Sequence, residues 1–201
     1  MQMSDTISSE WHINLLDGRC VDIRYLKDED IYLEDMVHSI CNQNRYMGRT
    51  AFPYSVGHHS ILVEDMVIRD LGKTCRASCV ALMHDFGEAF YYDLARGIKR
   101  GLVKMAPEFQ TLMADIDRKI YRKFNLHDYE KYHDVVKKWD NRVAVAEKHQ
   151  VFNGIEQQWP LATKDVEPAD VRVSYMLQSA QKSTIIARFN TYMACIEKRG
   201  W

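Results

Sequence analysis

The sequence predicts an all-α fold with one small β-hairpin near the N terminus. Three observations lead to this prediction. Apolar residues recur at intervals of three and four along most of the 201-residue chain, strict alternation is confined to its start, and only nine Gly and four Pro interrupt it. No Ser/Gly/Pro-rich linker and no internal repeat divides the chain, so we expect one domain, 1–201, whose sites lie between facing helices.

The hairpin prediction rests on residues 11–23. Apolar and polar residues alternate over 11–15, Asp17-Gly18 is a two-residue turn signal, and 20–23 would return as the second strand. Six helical segments follow, each predicted from an apolar stripe. They span about 33–40, 60–70, 77–91, 107–124, 135–146 and 185–196. The third is the most apolar, so we expect it to be the central helix.

Charge limits the class of partner. The chain has 27 Lys and Arg against 28 Asp and Glu, a formal net charge of −1. Polynucleotides are held largely by an excess of positive charge, so long nucleic acid is not an expected partner. A local cluster of Arg and Lys could still bind one phosphorylated small molecule.

The expected location follows from what the sequence lacks. It has no run of 18 apolar residues, and residues 1–5 do not begin a signal or transit peptide. We therefore expect an intracellular, cytoplasmic protein without membrane contact. The five cysteines are scattered and odd in number, so we expect free thiols in a reducing compartment.

Charged residues in apolar helices indicate a metal site. A buried carboxylate or imidazole costs several kcal/mol unless it is paired or metal-bound. His84, Asp85 and Glu88 interrupt the central helix at spacings that place them toward one side. Asp140 interrupts a later apolar stripe, and His59 precedes the second one. Two imidazoles and two carboxylates would suit one divalent transition metal with positions left for water and phosphate.

The order of these residues resembles a known family. His59, His84-Asp85 and Asp140 are similar to the H…HD…D signature of the HD-domain phosphohydrolases, which are all-α helical bundles that use a divalent metal. The resemblance implies that His59, His84, Asp85 and Asp140 are the ligands. The ion would be Co, Mn, Zn or Mg, with a second ion allowed alongside the substrate phosphates.

Longer strings narrow the resemblance to one branch. YSVGHHS (54–60) resembles the family segment YSVAEHS, and the string from His84 to Lys99 resembles HDxxEAxxGDxPxPxK. Residues 44–50 similarly resemble RFxGHT. These segments are typical of the 5′-deoxynucleotidase-like branch, common in bacteria and phages, which includes phage enzymes that hydrolyse dATP to deoxyadenosine and triphosphate. The resemblance covers about 11–148.

The same resemblance implies roles in catalysis and substrate binding. Glu88 matches the acidic residue that handles the attacking water, and Asp93 matches a second one near the leaving group. The chain departs from the pattern where 95–98 replaces a Pro-containing turn, and also at His58 and Arg49. The residues expected to contact substrate are Arg45, Lys99 and Arg96 on phosphate oxygens, and Tyr46 on the base or sugar, with core packing as its alternative.

The predicted function is removal of the 5′ phosphate or triphosphate from a deoxynucleotide by a metal-activated water, in a bacterial or phage-infected cell. Relatives commonly form dimers or larger rings, so a homo-oligomer is expected. Two alternatives stay open: hydrolysis of a signalling nucleotide such as (p)ppGpp or a cyclic nucleotide, and a non-catalytic nucleotide sensor. The pair Glu88 and Asp93 argues against a sensor, which needs no proton-transfer residue.

Overall fold

The structure is a computed structural model that describes residues 10–154 and 165–198. Over these residues it contains one antiparallel hairpin, in which β1 (His12–Asn14) pairs with β2 (Cys20–Asp22), and eight α-helices. The prediction of a mostly helical fold with a small N-terminal hairpin is confirmed. The helices are α1 (Leu33–Asn42), α2 (Val56–Leu71), α3 (Cys75–Met83), α4 (Glu88–Tyr91), α5 (Arg96–Met105), α6 (Pro107–Lys123), α7 (His133–Gln150) and α8 (Gln178–Lys198).

The core is built around α2, which packs against α1, α3, α7 and α8. The hydroxyl of Ser55 accepts a hydrogen bond from the backbone N–H of His58 and so caps the helix N terminus. Gly57 allows the close approach to α1, because a Cβ there would lie 2.6 Å from Sγ of Cys41. This start of α2 places His59 in the first turn, fully buried.

The prediction of one continuous central helix over 77–91 is wrong. α3 ends at Met83, residues 84–87 form a turn, and α4 is a single turn. The backbone N–H of Phe86 bonds to the carbonyl of Met83, three residues back, so the helical ladder stops there. Gly87 fits under this turn because a Cβ would lie 2.0 Å from Oδ1 of Asp117. His84 and Asp85 therefore project from a turn and not from a helix face.

Helix α5 was not predicted. From the sequence, 95–98 was interpreted only as a departure from a Pro-containing turn. In the structure, residues Arg96–Met105 form a ten-residue helix that packs against α6. Its apolar residues Ile98, Leu102 and Met105 are exposed. Their spacing of four and three is itself a helical signal and would have been sufficient to predict the element.

The expectation that all cysteines are free thiols is wrong in the structure. Cys75 and Cys195 form a disulfide across 120 residues of sequence, whereas Cys20, Cys41 and Cys79 are free. The pair forms because α8 packs against α3 and brings its last turns to the first residue of α3. Such tertiary proximity leaves no trace in cysteine spacing.

Replacing Cys195 with serine is expected to lower the free energy of unfolding by about 2 to 4 kcal/mol, because the bond restricts the unfolded chain over a long loop. Denaturant unfolding with and without reductant measures this. Reductant should destabilise the wild-type protein to the level of the variant and leave the variant unchanged. Equal stability of both proteins without reductant would show that the bond contributes nothing.

Within the described ranges, no helix combines the length with the hydropathy that a membrane span requires.

Candidate metal centre

Two imidazole rings meet at the centre of the fold. His59 comes from the first turn of α2, and His84 directly follows α3, with their ring centroids 5.2 Å apart. Asp140, from the middle of α7, lies beside them. One ligand atom from each of these three residues lies within 4.8 Å of the other two, so the group could hold a metal ion.

The hydrogen bonds of His84 leave one nitrogen available for a metal. Its Nδ1 lies 2.8 Å from the carbonyl oxygen of Ala81. A carbonyl can only accept, so Nδ1 donates its proton there and Nε2 is the nitrogen left for a metal. Nε2 is buried and makes no hydrogen bond to the residues that the structure describes, although Oδ2 of Asp85 lies 3.2 Å away. A ring held through Nδ1, with a buried Nε2 beside a carboxylate, is the arrangement that a metal-binding histidine needs.

His59 has a carboxylate on each side of its ring. Nδ1 lies 2.5 Å from Oε1 of Glu147, and Nε2 lies 3.2 Å from Oδ1 of Asp140. Burial and Arg45 lower the pKa of His59, but the two carboxylates outweigh them and raise it to about 9. At neutral pH the metal-free ring is protonated on both nitrogens, so metal binding must release the Nε2 proton.

Asp85, the fourth predicted ligand, lies next to the same group. Its Oδ2 is 3.2 Å from Nε2 of His84 and 3.7 Å from Nε2 of His59. Burial alone would raise the pKa of Asp85, but the two imidazoles hold it well below its usual value. The pKa of Asp140 is likewise lowered, against the effect of burial, by His59 and then by Lys137. Both carboxylates are therefore ionised, as metal ligands must be.

Glu88 is buried beside this centre with one oxygen unused. Its Oε2 has no hydrogen-bond partner in the described part of the chain. Burial, and then the carboxylates of Asp85 and Asp93, raises the pKa of Glu88 well above its ordinary value. Burial also raises the pKa of Asp93, with a smaller contribution from Asp85. Positive charge at the ligand cluster would oppose both shifts.

Gln43 holds the backbone on which these two acids sit. This buried amide donates from Nε2 to the carbonyl oxygen of Glu88 at 2.9 Å and accepts the N–H of Asp93 on Oε1 at 3.0 Å. It thereby fixes both ends of the segment that contains α4. The sequence analysis missed Gln43, because its partners lie 45 and 50 residues away.

The centre opens into a cleft of about 620 Å³. All four residues predicted to contact substrate line it: Arg45, Tyr46, Arg96 and Lys99. Two further cations that the sequence analysis did not single out also line it, Arg100 and Lys137. The opposite charges come from Asp85, Glu88, Asp93 and Asp140. A cleft lined by both cations and carboxylates suits a phosphate group bound together with a divalent cation.

Arg45 and Tyr46 are both held by the buried carboxylate of Glu147. Nη2 of Arg45 lies 3.2 Å from Oε2 of Glu147, and the Tyr46 hydroxyl donates to the same oxygen at 2.5 Å. Nε of Arg45 is buried without an acceptor in the described residues. The tyrosine ring packs edge-on against Phe152, with centroids 5.3 Å apart. The tyrosine ring is therefore packed in the structure, and its contact with a base or sugar stays a prediction.

Glu147 is the charged residue that the sequence analysis missed. It is fully buried on α7, seven residues after Asp140 and hence two turns along the same face. Burial alone would raise its pKa, but Arg45 and His59 lower the pKa of Glu147 to about 2. A second acid on the apolar face that carries Asp140 was the available sequence signal.

Asp117 on α6 is an acid near the site whose burial should make the stability of the protein depend on pH. Burial raises the pKa of Asp117 to about 6, and the Tyr91 hydroxyl, which donates to it at 3.2 Å, only partly offsets this. The folded protein therefore binds this proton more tightly than the unfolded chain does. Stability from Asp117 is present below pH 4 and is lost as pH rises through 6.

Replacing Asp117 with asparagine is expected to raise the free energy of unfolding of the metal-free protein by about 1 to 3 kcal/mol at pH 7.5. The gain should shrink as pH falls toward 4, because the wild-type carboxyl is then protonated. Urea unfolding across this range measures it. Asp115→Asn, on the same helix, removes a partly exposed carboxylate that pairs with Arg118 and Lys119, and should change stability by less than about 1 kcal/mol. A gain for Asp117→Asn that does not depend on pH would contradict the electrostatic explanation.

The known proteins to which this chain is similar are described as uncharacterized. No protein-family model matches the chain. It is similar to the uncharacterized protein YfdR of Escherichia coli (strain K12), 29% identical over 101 residues, which cover 50% of this chain and 51% of the relative. It is also similar to the uncharacterized protein RCAP_rcc00048 of Rhodobacter capsulatus, 33% identical over 95 residues, 45% of this chain and 47% of the relative. The chain spans about half the length of these curated relatives.

Proposed function

We propose that this chain is a metal-dependent phosphohydrolase of the HD-domain type, acting on the 5′ phosphate or triphosphate of a deoxynucleotide. The observation that carries the proposal is the group formed by His59, His84 and Asp140, whose ligand atoms lie within 4.8 Å of one another beside a cation-lined cleft. Both imidazoles direct Nε2 into this group. The donor set of nitrogen and carboxylate oxygen favours a divalent transition metal, with Mn, Co and Zn ahead of Mg.

The chemistry divides between the cation and the chain. A divalent cation supplies charge that offsets the phosphate and makes a nearby water more acidic. The chain supplies the proton acceptor, for which Glu88 is the best placed because its Oε2 has no partner among the described residues and it lines the same cleft as Asp85. Arg45, Lys99 and Lys137 contribute fixed positive charge to the cleft wall, which stabilises the phosphate oxygens as they accumulate charge.

Asp93 is the proposed proton donor to the leaving 5′ oxygen. Burial raises its pKa, so it retains a proton more readily than an exposed aspartate. Its backbone is fixed by Gln43, which limits the directions in which the carboxyl can point. Two acids with separate roles, one accepting and one donating, are what hydrolysis with a poor leaving group requires.

A substrate screen tests the proposal. Purified metal-free protein is supplied with Mg²⁺, Mn²⁺, Co²⁺ or Zn²⁺ and with each dNMP and dNTP, and free phosphate, pyrophosphate and triphosphate are measured separately. Ribonucleotides, (p)ppGpp and cyclic nucleotides are assayed in parallel. We expect metal-dependent release of phosphate or triphosphate from at least one deoxynucleotide.

Three results would overturn this proposal. Full activity in the presence of a chelator would remove the role of the metal. Turnover confined to (p)ppGpp or a cyclic nucleotide would assign the site to a signalling nucleotide. Tight nucleotide binding without product, with every metal tested, would indicate a sensor.

A further inference from the structure

Glu147 is the most completely bonded side chain next to the metal centre. Its Oε1 lies 2.5 Å from Nδ1 of His59 and accepts the Tyr54 hydroxyl at 2.6 Å. Its Oε2 accepts the Tyr46 hydroxyl at 2.5 Å and lies 3.2 Å from Nη2 of Arg45. A carboxylate has about four acceptor positions, and here all four are used.

We infer that Glu147 is a positioning residue that fixes His59 as a metal ligand and ties the metal centre to the wall of the cleft. The inference rests on the proposed function only in requiring that the centre bind a metal ion. It assigns no contact between Glu147 and either the metal or the substrate.

The contact with Glu147 favours one tautomer of His59. A metal-ligating imidazole is neutral, so its single remaining proton must lie on the nitrogen that faces away from the metal. Glu147 at 2.5 Å from Nδ1 competes with Asp140 at 3.2 Å from Nε2 for that proton. The shorter contact favours the proton on Nδ1, which leaves the Nε2 lone pair directed toward Asp140 and His84.

Glu147 also contacts the segment Arg45–Gly48, which has an unusual backbone conformation. Tyr46 and Met47 both have left-handed backbone conformations, with φ of 56° and 55°. Non-glycine residues avoid this region, and it persists only where surrounding contacts hold it. The bonds from Arg45 and Tyr46 to Glu147 supply such contacts. One carboxylate therefore holds both a metal ligand and the segment that lines the cleft.

The chain offers a matched control for burial. Glu64 on α2 is also fully buried, and it also accepts hydrogen bonds from one tyrosine and one arginine, Tyr192 and Arg188 of α8. It lies in the interface between α2 and α8, outside the ligand group. Glu64→Gln thus changes a similarly buried carboxyl group without touching the proposed site.

The test is the affinity of Mn²⁺ and Zn²⁺ for the 201-residue protein, measured by titration calorimetry without substrate. Glu147→Gln is expected to weaken metal binding about 10- to 100-fold, the range found for groups that orient metal ligands. Glu64→Gln should lower the melting temperature and leave metal affinity within about threefold of wild type. Equal metal affinity in Glu147→Gln and wild type would overturn the inference while leaving the proposed function standing.

A second measurement needs no variant that could fail to fold. In the Zn²⁺-loaded wild-type protein, ¹⁵N-resolved NMR of the histidine rings should show the remaining His59 proton on Nδ1, protected from exchange by Glu147. A proton on Nε2 instead would overturn the inference. Absence of any divalent-metal binding by the wild-type protein would refute the proposed function itself, so the two failures are distinguishable.

Discussion

Replacing His84 with alanine is expected to remove the bound metal ion and phosphate-ester hydrolysis together. His84 donates its Nδ1 proton to the carbonyl of Ala81, and its Nε2, which makes no hydrogen bond in the described residues, lies 3.2 Å from Oδ2 of Asp85. Alanine would remove one of the two nitrogen donors of the proposed site, and a transition metal is held less tightly by the donors that remain.

We expect the metal content of the His84→Ala protein after gel filtration to fall below one tenth of the wild-type value, and turnover to fall about a thousandfold, since a lost metal removes several kcal/mol of transition-state stabilisation. Elemental analysis and product assays measure the two quantities on the same sample. His58→Ala is the control, because His58 is a buried histidine on the neighbouring position whose ring packs against Tyr54. Loss of activity with full metal content in His84→Ala would mean that His84 is not a ligand.

The group that could hold a metal ion, His59, His84 and Asp140, could be predicted from the sequence because burial makes charged residues conspicuous. His84, Asp85 and Asp140 interrupt apolar segments, and such residues are retained only where something compensates their desolvation. The geometric reason given from the sequence was nevertheless wrong, since His84 and Asp85 lie on a turn after Met83. The prediction of these residues was still useful, because the turn after α3 places His84 and Asp85 near His59 of α2 and Asp140 of α7.

The supporting residues could not be predicted in the same way. Gln43 and Glu147 act through partners 45 and 88 residues away, so a local pattern can at most mark Glu147 as an acid on an apolar helix face and does not identify the partners of either residue. The disulfide between Cys75 and Cys195 has the same origin in helix packing. Local periodicity predicts which face of each helix is buried. These contacts depend on which helices pack against each other, and periodicity does not predict that.

Glu88→Gln is expected to separate metal binding from turnover. The side chain keeps its size, and Gln43 bonds to the backbone carbonyl of residue 88, so the turn that carries the acid should stay in place. The amide cannot accept a proton from water, so kcat should fall about 10²- to 10⁴-fold, the range for removing a positioned acid or base. Metal content should remain at the wild-type level, because Glu88 lies outside the group formed by His59, His84 and Asp140.

The pH profile makes this second test specific to proton transfer. In the wild-type protein kcat should rise with pH as Glu88 loses its proton. Burial and the neighbouring acids raise the pKa of Glu88, and a bound cation lowers it. Glu88→Gln should lose that rising limb along with most of its activity. Glu130→Gln, on the protein surface, is the matched control and should keep both. If Glu88→Gln retains wild-type kcat and the same pH profile, the proton acceptor is another group, and the unused Oε2 of Glu88 has no role in the reaction.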